Sequence, residues 1–321
     1  MTGPFDREAT MTGLTRALPY IRLYKGRVFV IKLGGSLGSD GAALRQMAEQ
    51  INVLREVGIR VVLVHGGGPQ TTELASRLGI ETRFVDGRRV TTPAALEAAV
   101  MTLNGSVNTA VLAACRAAHL PAVGISGVDA GALRARLRPP VEVNGDQGPA
   151  EVDFGEVGDL VSVDRTVFER LLAAGFVPVV SPISADDTGR VLNVNADTAA
   201  ATVACALDAE KLIFLTDAPG ILEDRADLAS MISCTDLAGL AAMEQRGALA
   251  GGMLPKAAAA RLALAGGVRR VHIVGFRQAQ SLLIEVFTNE GAGTLIVNDL
   301  AELPAAEHGD DGRVVAGGAT P

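Results

Sequence analysis

The sequence predicts an α/β protein built on buried parallel strands covered by helices. Three observations carry this. Continuous apolar runs, such as Val28-Phe-Val-Ile31 and Val61-Val-Leu-Val64, alternate with stretches of helical spacing, the pattern of strands buried on both faces. Glycine turns join strand to helix at Gly34-Gly35-Ser36 and again at Gly66-Gly67-Gly68. The apolar mass is Ala, Val, Leu and Ile, with only 3% aromatic residues in a hydrophobic content of 48%, which suits Ala-rich helices on a sheet.

A chain of 321 residues is long enough for one large or two medium domains. The formal net charge is −7 and no basic tract stands out, which argues against nucleic acid or an anionic membrane as partner. Anionic small substrates must then be held by glycine loops and a few placed cations. Cys115, Cys205 and Cys234 lie far apart with no C-x-x-C, so they read as free thiols in a reducing compartment. His65, His119, His272 and His308 lack metal-ligand spacing, and no metal site is expected. No apolar run approaches membrane-spanning length, so a soluble cytoplasmic protein is expected.

In chain order, residues 1–18 form either a short helix from Thr10 through Met11, Leu14 and Leu18 or a disordered leader, and residues 19–26 lead into the first strand. That strand, from Val28, carries a single cation, Lys32, just before its end. A buried lysine is costly without a partner. Adjacent glycines let backbone N–H groups approach an anion, and a helix N-terminus follows. The stretch is therefore either a phosphate site or a strand–turn–helix with a snorkelling lysine. Leu44, Met47, Ala48, Ile51 and Leu54 repeat at helical spacing up to Gly58. The second unit runs Val61–Val64, His65-Gly66-Gly67-Gly68-Pro69, then a helix from Gln70 to Leu78; three adjacent glycines favour ligand contact. Phe84 to Thr91 is expected as a loop in which one of Arg88 and Arg89 clamps a carboxylate. Thr92-Pro93 starts a long helix to about Ala118, a strand follows at 121–125, and short strands with turns fill 141–163.

After a strand at 176–181, Asn193, Asn195 and Asp197 stand at period two across a strand-to-helix junction. Asp197 either caps the helix Thr198–Leu207 or orients lysines around a phosphate. A strand at 211–216 ends in Thr216-Asp217-Ala218-Pro219-Gly220. Lys256 sits in the first turn of an Ala-rich helix, where the dipole disfavours a cation unless an anion binds there. A strand at 270–274, the helix 281–288 and a strand at 293–297 complete the fold, and residues 303–321 read as a disordered tail. Lysines and glycine loops without a nucleophile–base pair suit phosphoryl transfer, in which the protein positions and neutralises charge. A carboxylate acceptor, already ionised at neutral pH, needs no general base.

Six segments together resemble the amino acid kinase family, in order and spacing: Ile31-Lys-Leu-Gly-Gly35, Leu63-Val-His-Gly-Gly-Gly-Pro-Gln70, Phe84-Val-Asp-Gly-Arg-Arg-Val-Thr91, Leu192-Asn-Val-Asn-Ala-Asp197, Leu215-Thr-Asp-Ala-Pro-Gly-Ile221 and Gly251-Gly-Met-Leu-Pro-Lys256. The resemblance spans about residues 19–297 and is strongest to the branch acting on N-acetyl-L-glutamate in arginine biosynthesis. It implies a three-layer α/β/α sandwich with a mainly parallel central sheet. Residues 1–18 would be an extension, 19–190 an amino-acid-binding and dimerising lobe, 191–300 a nucleotide lobe and 301–321 a tail. It implies that ATP, bringing Mg²⁺, phosphorylates the substrate's side-chain carboxylate. Lys32 and Lys256 would stabilise the transition state and Asp197 would organise them. Gly67, Gly68, Arg89 and Asn193 would bind the acetylated amino acid. Gly34, Gly35 and Thr216, Asp217, Ala218, Pro219, Gly220 and Ile221 would bind the nucleotide, joined by Ala248 to Ala250.

Arginine-inhibited members carry an N-terminal helix that links dimers into a hexamer, and residues 1–20 are long enough for one. His272, Glu285 and Gly291 match their arginine site in order and spacing; otherwise His272 is a satisfied strand histidine and Glu285 a solvated helix residue. Ser126-Gly-Val-Asp-Ala-Gly131, Ser106, Thr109 and Gly275-Phe-Arg277 depart from the family pattern, mostly by losing basic charge. Alternatives from the same fold are a kinase for an aminoadipate-type substrate and a non-catalytic arginine sensor.

Overall fold

A computed structural model describes residues 7–85, 88–145, 148–302 and 314–315. In chain order its first elements are α1 (Arg7–Tyr24), β1 (Val28–Leu33), α2 (Gly41–Glu56), β2 (Arg60–His65), α3 (Gly68–Arg77) and a hairpin of β3 (Arg83–Val85) with β4 (Arg88–Val90). Next come α4 (Pro93–Val100), a π-helical segment (Met101–Val107), α5 (Asn108–Ala117), β5 (Ala122–Ser126), β6 (Leu133–Leu137), β7 (Val141–Gly145), β8 (Gly148–Val152), β9 (Gly158–Val163), α6 (Arg165–Ala173), β10 (Val177–Ser181), β11 (Ile183–Ala185) and β12 (Val191–Asn193). The last part holds α7 (Ala196–Ala206), β13 (Lys211–Thr216), β14 (Cys234–Asp236), α8 (Leu237–Gln245), α9 (Met253–Ala265), β15 (Arg270–Gly275), α10 (Ser281–Phe287), β16 (Gly293–Val297) and β17 (Val314–Val315).

Nine strands form one sheet in the order β17-β14-β16-β15-β13-β1-β2-β10-β5, parallel except at β15–β16. β1 adjoins the central strand β13, where the strands drawn from the first 181 residues meet those drawn from 211 onward. Every residue of β1 is buried, Lys32 included, as an apolar run from Val28 to Ile31 covered on both faces requires. The register aligns Lys32 with Phe214 and Val64, and Ile31 with Ile213 and Leu63. Successive residues alternate across a sheet, so Lys32 and Ile31 face opposite helix layers. The Lys32 face packs Val30, Val62 and Phe214 against α7 and α9. The Ile31 face packs Phe29, Leu63 and Ile213 against α2, α5 and α10. This is a three-layer α/β/α sandwich. A second sheet, β12-β11-β6-β9, flanks it.

Several local expectations change. Residues 19–24 belong to α1, with Pro19 inside it. Tyr20 and Tyr24, one turn apart, stack with ring centres 6.4 Å apart, and Tyr24 packs edge-on against Phe29 of β1. That anchoring holds the helix where proline alone would end it. The expected loop at Phe84–Thr91 is the β3–β4 hairpin, pairing Phe84 with Arg89. The Asp-Gly dipeptide at 86–87 was the sequence signal for it, though those two residues lie outside the described ones. The stretch Pro93–Ala117 is helical over 25 residues and apolar enough to cross a membrane by length and composition, contrary to the expectation of no such run. Ala95, Ala98, Ala99, Leu103, Val107, Val111, Ala114 and Cys115 of that stretch are buried within the protein. From residue 303 the tail lies outside the described residues except Val314 and Val315, which pair with Cys234 and Thr235.

Candidate active site

The site forms at the carboxyl ends of β1, β2 and β13, where open α/β sheets collect ligands. Lys32 is 6% exposed, and its ammonium lies 2.9 Å from Oδ1 of Asp197, an ion pair by distance. Lys256 Nζ donates to Oδ2 of the same carboxylate at 3.3 Å and to the Gly252 carbonyl at 3.3 Å. Asp197 does not cap α7. Asn195 does, its side chain accepting from the N–H groups of Asp197 and Thr198 at 2.9 and 3.0 Å. With the cap filled by Asn195, the Asp197 carboxylate faces the two lysines.

Burial opposes ionisation of Asp197, but the charges of Lys32 and Lys256 outweigh it and hold the carboxyl below the usual carboxylate range. Lys256 is shifted down, first by burial and then by repulsion from Lys32, with Asp197 and Asp217 opposing. Two ammonium groups thus share one carboxylate. The surplus positive charge sits beside glycine loops. A Cβ on Gly66 would lie 3.8 Å from Lys32 Nζ. Gly35 stands against the Gly67 and Gly68 nitrogens, and a Cβ there would come within 3.0 Å of Pro69. A Cβ on Gly34 would meet the Leu215 carbonyl at 2.7 Å, while the Gly34 N–H donates to that oxygen at 3.0 Å. Gln70 ties the two loops together by donating to the Gly35 carbonyl at 2.7 Å. The Gly68 N–H, at the start of α3, has no acceptor within its own helix.

The remaining expected residues fall into three groups. Arg89 is half-buried and donates to Thr72 Oγ1 at 2.6 Å and to the Gly68 carbonyl at 3.2 Å, with its guanidinium 4.9 Å from the Phe84 ring centre. Arg88, the other arginine of the pair, is exposed. Asn193 donates to Thr91 Oγ1 at 3.5 Å. Thr216 to Ile221 leave the end of β13; the Ile221 N–H donates to Thr294 Oγ1 at 2.8 Å, and the Pro219 carbonyl accepts from Gly275 at 3.1 Å. Asp217 accepts from Ser36 Oγ and from Arg277 Nη2, the latter at 2.7 Å, a clasp between loops that sequence reasoning missed. In the segment that departs from the family pattern, Asp129 accepts from the Ser126 N–H and Oγ at 2.6 and 2.8 Å, closing a local turn.

His272, Glu285 and Gly291 come together away from the lysines. His272 shares the pleat of Ile213 and Ile31, so it faces the layer opposite Lys32. Its Nδ1 lies 2.5 Å from Glu285 Oε1, and Lys211 Nζ lies 2.9 Å from its Nε2. The other Glu285 oxygen accepts from the Ala292 N–H at 2.6 Å. Gly291 has φ +65°, and a Cβ there would come within 2.9 Å of the Glu285 carboxylate. Burial first, then Lys211, lowers His272 to a pKa of about 4. Glu285 is buried, not the solvated helix residue that was the alternative. These groups line a cavity with Tyr20, Tyr24 and Arg270.

Residues 27–275 match the model of the amino acid kinase family. The chain belongs to the amino acid kinase family. It is 48% identical over 301 residues to the acetylglutamate kinase of Myxococcus xanthus, covering 93% of this chain and 97% of that one. Among solved structures it resembles the N-acetylglutamate synthase of Neisseria gonorrhoeae complexed with coenzyme A and N-acetyl-glutamate, at TM-score 0.76 and 30% identity over 89% of this chain. This family member spans 63% of that synthase's length. The same synthase complexed with coenzyme A and L-arginine is similar at TM-score 0.75 and 28% identity, over 90% of this chain and 65% of that one.

Proposed function

We propose that this kinase transfers the γ-phosphoryl group of ATP to the side-chain carboxylate of N-acetyl-L-glutamate in arginine biosynthesis, as a cytoplasmic enzyme. The observation that carries the reading is the buried Lys32–Asp197–Lys256 cluster beside two glycine loops. Support for this substrate comes from the near full-length similarity to an acetylglutamate kinase. An ionised carboxylate oxygen attacks the γ-phosphorus; the O–P bond forms as the bond to the bridging oxygen of ADP breaks, leaving an acyl phosphate. No proton moves, so no general base is required. Lys32 and Lys256 offset charge on the transferring group, and Asp197 holds both in place. Gly67, Gly68, Arg89 and Asn193 bind the acetylated amino acid, with residues 19–190 as its lobe. Gly34, Gly35 and Thr216 to Ile221 bind the nucleotide in residues 191–300. Mg²⁺ belongs to the nucleotide as it arrives, since Asp197 is committed to two lysines.

Arginine inhibition is the regulatory part of the proposal. A guanidinium suits the buried Glu285 carboxylate, and the similar synthase has been solved with L-arginine. Helix α1 ends beside that cavity at Tyr20 and Tyr24 and exposes Met11, Leu14 and Leu18 along its length, a face suited to linking dimers into a hexamer. The deciding experiment incubates the protein with Mg-ATP and N-acetyl-L-glutamate and traps acyl phosphate with hydroxylamine, with aminoadipate derivatives in parallel. Hydroxamate from N-acetyl-L-glutamate supports the reading; none from it, or more from an aminoadipate derivative, overturns the substrate.

A further inference from the structure

His65 is buried, lies next to the glycine loop and has no part in the chemistry above. Its surroundings fix its proton. Asn108, the first residue of α5 after the π-helical segment, approaches His65 Nε2 at 3.0 Å through Nδ2 and donates from the same nitrogen to the Val179 carbonyl of β10 at 3.3 Å. A backbone carbonyl only accepts, so it holds the Asn108 amide with its NH₂ inward. Nε2 must then accept, and the single proton of the neutral ring sits on Nδ1. Nδ1 lies 3.1 Å from the Gly66 carbonyl, to which it donates. Burial, with Lys32 adding to it, lowers the ring's pKa to about 4, so the neutral form persists at physiological pH. The surroundings are built for this contact: a Cβ on Gly124 would lie 2.1 Å from Asn108 Oδ1, so that strand position leaves room for the amide.

In a trans peptide the carbonyl and the following N–H point in opposite directions. Drawing the Gly66 oxygen toward His65 therefore turns the Gly67 N–H away from it. That nitrogen lies against Gly35, in the loop cluster that includes the Lys32 ammonium. We propose that His65 is a positioning residue for the phosphoryl-accepting acid: locked by Asn108 as the neutral Nδ1–H tautomer, it grips the Gly66 carbonyl and so aims the Gly67 N–H at the anionic acceptor. This rests on the kinase reading and adds to it a residue that touches neither substrate.

Two substitutions separate positioning from packing. In His65→Asn the side-chain amide nitrogen stands near the position of Nδ1, whereas in His65→Gln it stands near Nε2. The glutamine fills more of the ring's volume, so a packing role ranks it above asparagine. Positioning ranks them in the opposite order. The expected result is that His65→Gln loses at least tenfold in kcat/KM for N-acetyl-L-glutamate, His65→Asn stays within threefold of the wild type, and KM for Mg-ATP is unchanged in both. Equal losses in the two variants, or the greater loss in asparagine, overturn the proposal. If either variant fails to fold, ¹⁵N NMR of histidine-labelled wild-type protein decides it. A neutral Nδ1–H ring for His65 from pH 5.5 to 8 is required, and an Nε2–H or doubly protonated ring refutes it. Wild-type protein that makes no hydroxamate from N-acetyl-L-glutamate defeats the kinase reading instead, and leaves the tautomer measurement to judge the geometry by itself.

Discussion

Replacing Asp197 by asparagine keeps the shape of the side chain and removes the charge that two buried ammonium groups share. At separations of 2.9 and 3.3 Å, each attraction is about 5 kcal/mol for an effective dielectric constant of about 20. Much of that offsets the cost of taking three ions out of water. Removing the one carboxylate leaves two uncompensated buried ammonium groups, which costs about 3–5 kcal/mol. Urea denaturation should therefore show a lower midpoint with an unchanged slope. With its lysines repelled and displaced, the variant should lose about 10²–10³ in kcat in the hydroxamate assay. The pH dependence carries a second signature. Lys256 is already depressed by burial and by Lys32, and loss of Asp197 depresses it further. Turnover of the variant should thus fall as pH rises from 6 to 9, while the wild type stays flat. A variant with the wild-type midpoint, kcat within threefold and no new pH dependence would refute the reasoning.

The other predictions concern the same cluster and the opposite face. Lys256→Met should lower kcat by about 10³ while leaving the thermal midpoint unchanged or raised. The sign follows from its depressed pKa: an ammonium disfavoured in the folded state costs stability at neutral pH, and that cost vanishes only as pH rises toward the unfolded lysine's value of about 10.4. Calorimetry beside the turnover assay checks both halves. Glu285→Gln should raise the arginine concentration for half-inhibition about tenfold or more, from ~1.5–3 kcal/mol of lost charge-assisted hydrogen bonding, with uninhibited turnover intact; unaltered inhibition would place arginine elsewhere. Deleting residues 1–18 should reduce the mass seen by light scattering to that of a dimer and weaken arginine inhibition, and an unchanged mass would contradict the role given to α1.

What could be read from the sequence was what local pattern encodes. β1, β2, β10, β13 and β15 are each built on a short apolar run, interrupted by Lys32 in β1 and by His272 in β15, and the two glycine loops directly follow β1 and β2. The pairing of Lys32 with Asp197 was only half legible. Asn195 and Asp197 are both good cap residues at one helix start, and only the three-dimensional arrangement, with Lys32 and Lys256 arriving from 165 and 59 residues away along the chain, separates them. The β3–β4 hairpin, expected as a loop, has a local signal in the Asp-Gly dipeptide between Phe84-Val85 and Arg88-Arg89-Val90. Other features have no local signature. The π-helical segment, the His65–Asn108 contact across 43 residues and the Asp217–Arg277 pair across 60 arise from packing between distant elements.

The active cluster sets the needs of function against those of stability within one strand. A protein of net charge −7 concentrates surplus positive charge at its centre, where burial makes it most costly. It does so at a residue whose chain neighbour, Ile31, faces the layer that contains His272, through the register Ile31–Ile213–His272. The lysine cluster and the Glu285 cavity therefore lie on opposite faces of a single sheet, with β13 standing between the strands that carry Lys32 and His272. No side chain needs to bridge them: a ligand that displaces β15 against β13 moves strands hydrogen-bonded in series to the one carrying Lys32. Coupling between the two faces would then travel as a shift of backbone register or twist, since buried side chains pack the sheet on both faces.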